Sequence, residues 1–467
     1  MASIARGVPR SSSIAWIVWA TCLVLAVAYV AAFRANVPMR HDFDVVPYLV
    51  GHWPADLEWY WRFENEHRVP LQKLTIMMLS RWIDLDFRSD KLFQIASLGA
   101  ASAAILLAAR RLRGRSAPVD AIVPLALLSA TTSAASLDAF AHVVPAALVC
   151  LSFALSIRLA KEASWVASIA FAACVLLLPL SGSSGVVFVP GLVAPSLHVA
   201  WARMRRGGSR ARGELGFLLA LGVASAVLVA SYFRSFPTRD LPRTALDVAS
   251  NVVAFSSLSV GRAEAIWTIL GALVALTSIV TASVLVRAAM RRDEDGPLAV
   301  LLLAQLLSCF VLASVIAWGR AAFGPTAALA HRFAPLAALL LCSLHLGAIA
   351  VRPRRLSSAL QLALALLVAA AFVPDLRYGL STGAQFREWA ASVERDLRAG
   401  LPPGDVVRNN RGFRHEWNVG GTINRMYILL NSGVGGFSRD YGPSRGLAPA
   451  SSAASEDVTL HDEEQTG

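Results

Sequence analysis

The sequence predicts an all-α polytopic membrane protein with about 11 transmembrane helices. Three observations carry that prediction. The 467 residues are 56% apolar and only 16% charged, with a mean hydropathy of +0.55, whereas a soluble chain carries about a quarter charged residues. Apolar runs of helix-spanning length, about twenty residues, recur along most of the chain. Arginine-rich breaks separate them, and these breaks fall on alternate turns.

The first run, 14–33, follows Arg6 and Arg10. It is longer than the roughly 7–15 apolar residues of a cleaved signal peptide, so it reads as an uncleaved span with a cytoplasmic N-terminus. Further spans are expected at 91–109, 118–135, 139–160, 164–180, 184–202, 214–233, 264–286, 297–318, 332–350 and 356–373. Alternation from a cytoplasmic start puts the breaks 110–115, 160–164, 203–214, 287–295 and 352–357 on one side, as the positive-inside rule requires. The Ala- and Arg-rich composition is compatible with a high-GC bacterium, which implies the bacterial cytoplasmic (inner) membrane.

Segment 71–87 is helical in pattern but contains Lys73, Arg81, Asp84 and Asp86. Counting it as a span would move the break at 110–115 to the wrong side, so it is expected to lie flat in the outer interface. The first loop, 34–90, is therefore extracytoplasmic. Two more outer segments stand out. Residues 179–192 form a tight turn or partly re-entrant segment, and 232–265 is a longer loop with a short helix. The spans form a transmembrane domain over 1–373, 374–449 a small extracytoplasmic C-terminal appendage, and 450–467 an acidic tail read as disordered.

The net charge of +12 does not imply a nucleic-acid partner, because the basic residues sit just beyond apolar runs, where they set orientation. Cys22, Cys150, Cys174, Cys309 and Cys342 all lie inside apolar runs without zinc-ligand spacing, so they read as packing residues. No nucleotide-binding fingerprint occurs, and Gly182 and Gly185 form no phosphate loop. His142, His198 and His345 are isolated in apolar context and read as packing residues. No internal repeat is evident, which weakens an inverted-repeat transporter model.

Chemistry concentrates in the first loop, "RHDFDVVPYLVGHWPADLEWYWRFENEHRVP". Pro54 and Asp56 suit a helix start, and a helical pattern runs to about Arg68, with Pro70 at its end. On that helix Glu58 and Arg62 would pair one turn apart, as would Arg62 and Glu66. Trp53, Trp59, Trp61 and Phe63 would anchor it at headgroup depth. Asp42 and Asp44 are two apart and point the same way in an extended chain. Either can deprotonate an acceptor hydroxyl, or help hold a divalent cation such as Mg or Mn with His41 or Glu66. The competing reading is that both are ordinary solvated acids. In "WGRAAFGPTAALAHRFAPL", Arg320 and Arg332 flank an outer turn. Such a pair suits the phosphate of a lipid carrier, against the plainer reading of headgroup contact. Arg262 is a weaker candidate of the same kind.

An acid in the first outer loop, a flat helix and many spans resemble the GT-C class of polytopic glycosyltransferases. "WYWRFENEHRVPLQKL" resembles a group of bacterial glycosyltransferases in that class whose first loop carries an Asn-Glu-His-Arg signature, here Asn65, Glu66, His67 and Arg68. "GRAAFG" (319–324) and "HRF" (331–333) are similar to its later motifs, with His331 and Phe333 in place of serine and tyrosine. The resemblance implies inverting transfer of a sugar from a polyprenyl-phosphate donor to a glycan, lipid or protein acceptor on the extracytoplasmic face. Asp44, or secondarily Asp42, would be the general base. Arg320 and Arg332 would stabilise the leaving phosphate. Glu66, His67 and Arg68 would bind or position substrate, with Trp59 and Trp61 as stacking faces, and only some members of the class need a metal. A lipid-linked glycan flippase or a non-catalytic membrane partner are the alternatives. The clean middles of the apolar runs argue against the flippase.

Overall fold

The computed structural model describes residues 13–64, 67–138, 140, 142–206, 209–235, 243–291, 296–410, 412 and 418–442. It is almost wholly helical. Ten helices among these residues are long and apolar enough to cross a membrane, and the protein is a multi-pass membrane protein.

After α1 (Ile14–Phe33) the first loop folds into α2 (Asp42–Leu49), α3 (Leu57–Trp61), a two-stranded antiparallel hairpin and α4 (Pro70–Trp82). The hairpin pairs β1 (Phe63–Glu64) with β2 (His67–Arg68). The continuous helix expected up to Arg68 does not form. Asp56 caps α3 by accepting from the Trp59 amide at 2.8 Å, and the backbone turns extended at Arg62 (ψ 144°). Arg62 then meets Tyr48 at 3.3 Å and Glu64 at 4.0 Å rather than Glu58. Pro70 begins α4, where a missing amide costs nothing. Trp59 is no interfacial anchor. It is buried, stacked on Tyr48 at 4.1 Å.

The bundle follows as α5 (Ser89–Arg113), α6 (Ile122–Leu127), α7 (Ala130–Ala135), α8 (Val143–Lys161), α9 (Trp165–Leu177), α10 (Ser183–Arg205) and α11 (Ser209–Phe233). The span expected at 118–135 is broken in two, because Ser129 leaves the helix and caps α7 from its side chain. The stretch expected at 164–180 is a shorter apolar helix, Trp165–Ser181, packed against α8 and α11.

The outer segment 232–265 holds α12 (Ala245–Leu258), and α13 (Trp267–Met290), α14 (Gly296–Arg320) and α15 (Ala334–Ala350) complete the core. Helix α15 sits at the centre and is buried along almost its whole length. Helix α16 (Arg354–Arg398) runs unbroken for 45 residues, so the change of character at residue 374 falls within one helix rather than at a chain break. Its C-terminal half carries α17 (Pro403–Asn409), α18 (Val419–Asn431) and α19 (Gly435–Tyr441), of which α18 packs on α2. Gly379 permits the close crossing of α16 over α7, since a Cβ there would lie 2.5 Å from the Ala130 backbone carbon. The tail 450–467 lies outside the described residues.

Polar groups segregate to the two ends of the bundle. At one end Arg113 reaches Asp120 at 2.7 Å and Gln361 at 2.9 Å, joining the basic breaks at 110–115 and 352–357. Arg203 joins Glu214 at 2.6 Å and the Leu159 carbonyl, and Gly347 lies against Leu285. These basic breaks share one end of the bundle.

Candidate functional site at the opposite end

The opposite end gathers the first loop, the 319–333 turn and the C-terminal helices. Asp42 and Asp44 both lie in the first turn of α2. In a helix of about 3.6 residues per turn, residues two apart point to nearly opposite sides, so the shared direction expected of an extended chain is lost. Asp42 turns inward. It accepts from Arg34, from the Met39 amide at 2.9 Å and from the Lys91 ammonium at 3.0 Å. Lys91 also holds Asp90 at 2.8 Å. All four side chains are buried, so Asp42 ties the end of α1 to the starts of α2 and α5 and is closed to an acceptor.

Asp44 turns the other way and keeps 15% of its side chain exposed. His41 Nδ1 lies 2.9 Å from one oxygen, and Arg425 Nη1 donates to the other at 2.7 Å. Arg425 comes from α18, 381 residues along the chain, and nothing in the sequence pattern pointed to it. The appendage therefore forms one wall beside Asp44.

The hairpin separates the next two candidates. Arg68 is a clamp: it donates to the carbonyls of Trp61 at 2.6 Å, Arg234 at 2.6 Å and Tyr232 at 3.2 Å. Its guanidinium lies 4.0 Å from the Phe63 ring centroid. That set of partners fixes the hairpin to the end of α11 rather than presenting a charge to a ligand. His67 points across the hairpin, its Nδ1 2.8 Å from the Ser183 hydroxyl. Glu66 lies outside the described residues. Below them Lys73 is fully buried against the Trp59 carbonyl at 2.8 Å and Glu64 at 2.8 Å.

Arg320 and Arg332 do converge. Both guanidinium carbons face the Phe333 ring, at 5.4 and 5.2 Å. On that ring the His142 imidazole stacks at 5.4 Å with 16° between planes. His67 approaches His142 at 5.9 Å. Two arginines and one histidine thus meet one aromatic ring, and His67 stands behind that histidine. Burial, followed by the positive charges of His67, Arg332 and Arg320, pushes the His142 imidazole well below its usual value, so His142 is neutral at pH 7. The isolated packing histidine expected at 142 belongs to this cluster. Asn251, buried in α12, holds the turn that carries both arginines. It donates to the Gly324 carbonyl at 2.9 Å and accepts from the Ala328 amide at 2.8 Å.

A further acid, Asp138, follows α7 between the two sets. It lies 3.4 Å from both Arg40 and His331 Nε2. Burial raises its pKa, but the hydrogen bond from His331 and the charges of Arg40, His331 and His41 outweigh it and hold Asp138 below the ordinary carboxylate range. On the other side of the ring, His331 Nδ1 meets the Tyr378 hydroxyl at 3.3 Å. Asp138 was legible as a lone acid between two apolar runs, and its role depends on partners that only packing supplies.

Of the residues expected to help hold a divalent cation, Glu66 lies outside the described residues. Asp42 is saturated by cationic side chains, Asp44 shares its oxygens with His41 and Arg425, and no group of three metal-ligating side chains occurs among the described residues. Comparison of the chain with protein-family models and with curated proteins gave no match.

Proposed function

We propose that this protein is a membrane-embedded group-transfer enzyme, and specifically a glycosyltransferase that uses a polyprenyl-phosphate-linked sugar. The observation that carries the reading is the convergence of Arg320 and Arg332 on Phe333, beside His142, at the same end as the partly exposed Asp44. A concentration of cationic groups at a bundle end suits a phosphate on a lipid tail. A carboxylate at that end supplies the base an acceptor hydroxyl needs. The positive-inside rule puts the arginine-rich end in the cytoplasm of a bacterial inner membrane and this site on the extracytoplasmic face.

In this reading Asp44 takes the proton of the acceptor hydroxyl as the acceptor oxygen attacks the anomeric carbon. The bond from that carbon to the phosphate oxygen breaks, and Arg320 and Arg332 stabilise the departing charge. Asp42, closed by Arg34 and Lys91, holds the loop, as Arg68 holds the hairpin. His67 and Glu66 remain substrate-positioning candidates.

The test replaces Asp44 with Asn, and separately both Arg320 and Arg332 with Ala, in the native host. Lipid-linked and surface saccharides are profiled by mass spectrometry against wild type and a deletion strain at matched membrane levels. Loss of the saccharide that the deletion loses supports transfer. Retention in both variants overturns it and favours a flippase or a non-catalytic partner.

A further inference from the structure

The chain Asp138–His331–Tyr378 has no part in the reaction as described. It joins a carboxylate at the end of α7, an imidazole in the turn next to Arg332, and a phenol on α16. We propose that it is a proton-delivery site that protonates the departing polyprenyl phosphate, with Tyr378 the catalytic acid and His331 and Asp138 its positioning residues. This inference rests on the glycosyltransferase reading.

Three observations carry it. The imidazole is held at both nitrogens, Nε2 by Asp138 at 3.4 Å and Nδ1 by the Tyr378 hydroxyl at 3.3 Å. An imidazole braced by a carboxylate is suited to carry a second proton, whose charge the carboxylate balances. The Arg262 guanidinium lies 3.7 Å from the Tyr378 ring centroid, a cation placed to stabilise a phenolate formed in passing. Arg262 is itself fixed by an ion pair with Glu264, by the Leu329 carbonyl at 2.7 Å and, through its amide, by Asp375 at 2.8 Å. Leu329 lies in the turn that carries Arg332. The imidazole of the relay and the arginine pair are thus parts of one loop. Cleavage of the glycosyl–phosphate bond leaves a phosphate monoester, whose second ionisation falls near pH 6, within the range in which histidine exchanges protons.

The proton balance is as follows. The acceptor hydroxyl loses its proton to Asp44, and the anomeric carbon exchanges the phosphate oxygen for the acceptor oxygen. The Tyr378 hydroxyl gives its proton to the phosphate, and the His331 imidazolium replaces it through Nδ1. His331 is left neutral, with its Nε2 proton on the Asp138 side. Water at the extracytoplasmic face then reprotonates His331 and takes the proton from Asp44. The charged and titratable groups around the relay are Asp138, Arg40 and His41 on one side of the ring, and Tyr378, Arg262 with its partner Glu264, and Asp375 on the other. Arg332 adjoins His331 in the chain, and His142 lies across Phe333. The relay needs a proton on His331 Nδ1, so turnover is expected to fall as pH rises. The ionised base makes it fall at low pH.

The experiment uses membranes of the native host's deletion strain, carrying full-length wild type or variant at matched levels, with the endogenous lipids as substrates. Formation of the saccharide missing from the deletion strain is followed over roughly pH 5 to 9. Tyr378→Phe and His331→Gln are expected to slow it by about 10- to 100-fold and to remove the alkaline fall. Asp138→Asn is expected to move that fall to lower pH. If both Tyr378→Phe and His331→Gln keep the wild-type rate and alkaline limb while Asp44→Asn loses the product, the relay is wrong and the transferase reading stands. If Asp44→Asn and the Arg320/Arg332 double variant also keep the product, the failure lies in the transferase reading itself. Should His331→Gln not reach the membrane, Tyr378→Phe decides alone, because it removes a single oxygen atom.

Discussion

The two ends of the bundle use the same residue types for opposite purposes. At the arginine-rich end, Arg113 and Arg203 close on Asp120 and Glu214. His345 Nε2 donates to the same Asp120 at 2.9 Å. Each of these three groups meets a carboxylate, and the product is a staple between helices. At the other end Arg320 and Arg332 share an aromatic ring with His142, and positive groups are concentrated. The difference teaches that an arginine's role is set by what it is packed beside. A buried pair contributes to holding elements together, whereas Arg320 and Arg332 are gathered on one ring, as the proposed phosphate site requires.

That contrast breaks most sharply at Asp44. Asp44→Asn should lower product formation by about 10²- to 10⁴-fold, the range of a lost general base, with the thermal midpoint of the detergent-solubilised protein unchanged. A large fall in stability instead would make Asp44 a staple like those at the far end. Arg113→Met is the mirror experiment. It leaves Asp120 buried with one cationic partner fewer and should cost about 3–5 kcal/mol of stability, while product per folded molecule stays at the wild-type value. An equal loss of turnover would show that the two ends are not separate.

Asp42 belongs with the staples although it lies at the site end. Asp42→Asn should likewise destabilise by about 3–5 kcal/mol, since Arg34 and Lys91 are left buried. Normal stability with lost turnover would instead return Asp42 to the role of base. Asn251→Ala tests the support of the arginine turn. It removes hydrogen bonds to Gly324 and Ala328 and should cost about 1–3 kcal/mol, with a weaker apparent affinity for polyprenyl phosphate in a binding titration. Unchanged affinity would uncouple α12 from the turn.

The smallest effect concerns acid stability. Asp138 titrates lower in the folded protein than in the unfolded chain, so it contributes stability above the ordinary carboxylate pKa, about 3.9. As pH falls the unfolded chain binds the proton first, and the contribution is lost as pH falls towards the depressed folded value. Thermal midpoints of wild type and Asp138→Asn should therefore converge as pH is lowered from about 5. Parallel curves would show that the charge of Asp138 is not stabilised by its neighbours.

Much of the fold was legible because it depends on local requirements. A run of about twenty apolar residues can satisfy its backbone only as a helix in lipid. Arginine clusters mark helix ends by their cost in hydrocarbon. The site was legible only in part. Asp44, Arg320 and Arg332 stood out as charges at the edge of apolar runs, and the structure brings the two arginines onto one ring. Asp42 carried the same signal and proved to be an anchor. The tryptophans read as interfacial because they sit beside charges, yet Trp59 is buried under Tyr48. A helical charge pattern through 54–68 gave way to a hairpin, because Arg68 finds three carbonyls and Lys73 finds Glu64 there.

By itself the sequence determined the class of fold, the approximate spans and the end at which each basic cluster lies. Those follow from transfer energies, which each segment carries independently of its neighbours. Only the tertiary structure decided that Asp42 is buried and Asp44 partly exposed, that Arg425 stands beside Asp44, and that His142 and Asp138 lie at the candidate site. Hydrogen bonds and ion pairs act over a few ångströms between groups as far as 381 residues apart. Which groups come within that reach is fixed by how the helices cross, and no local pattern records it.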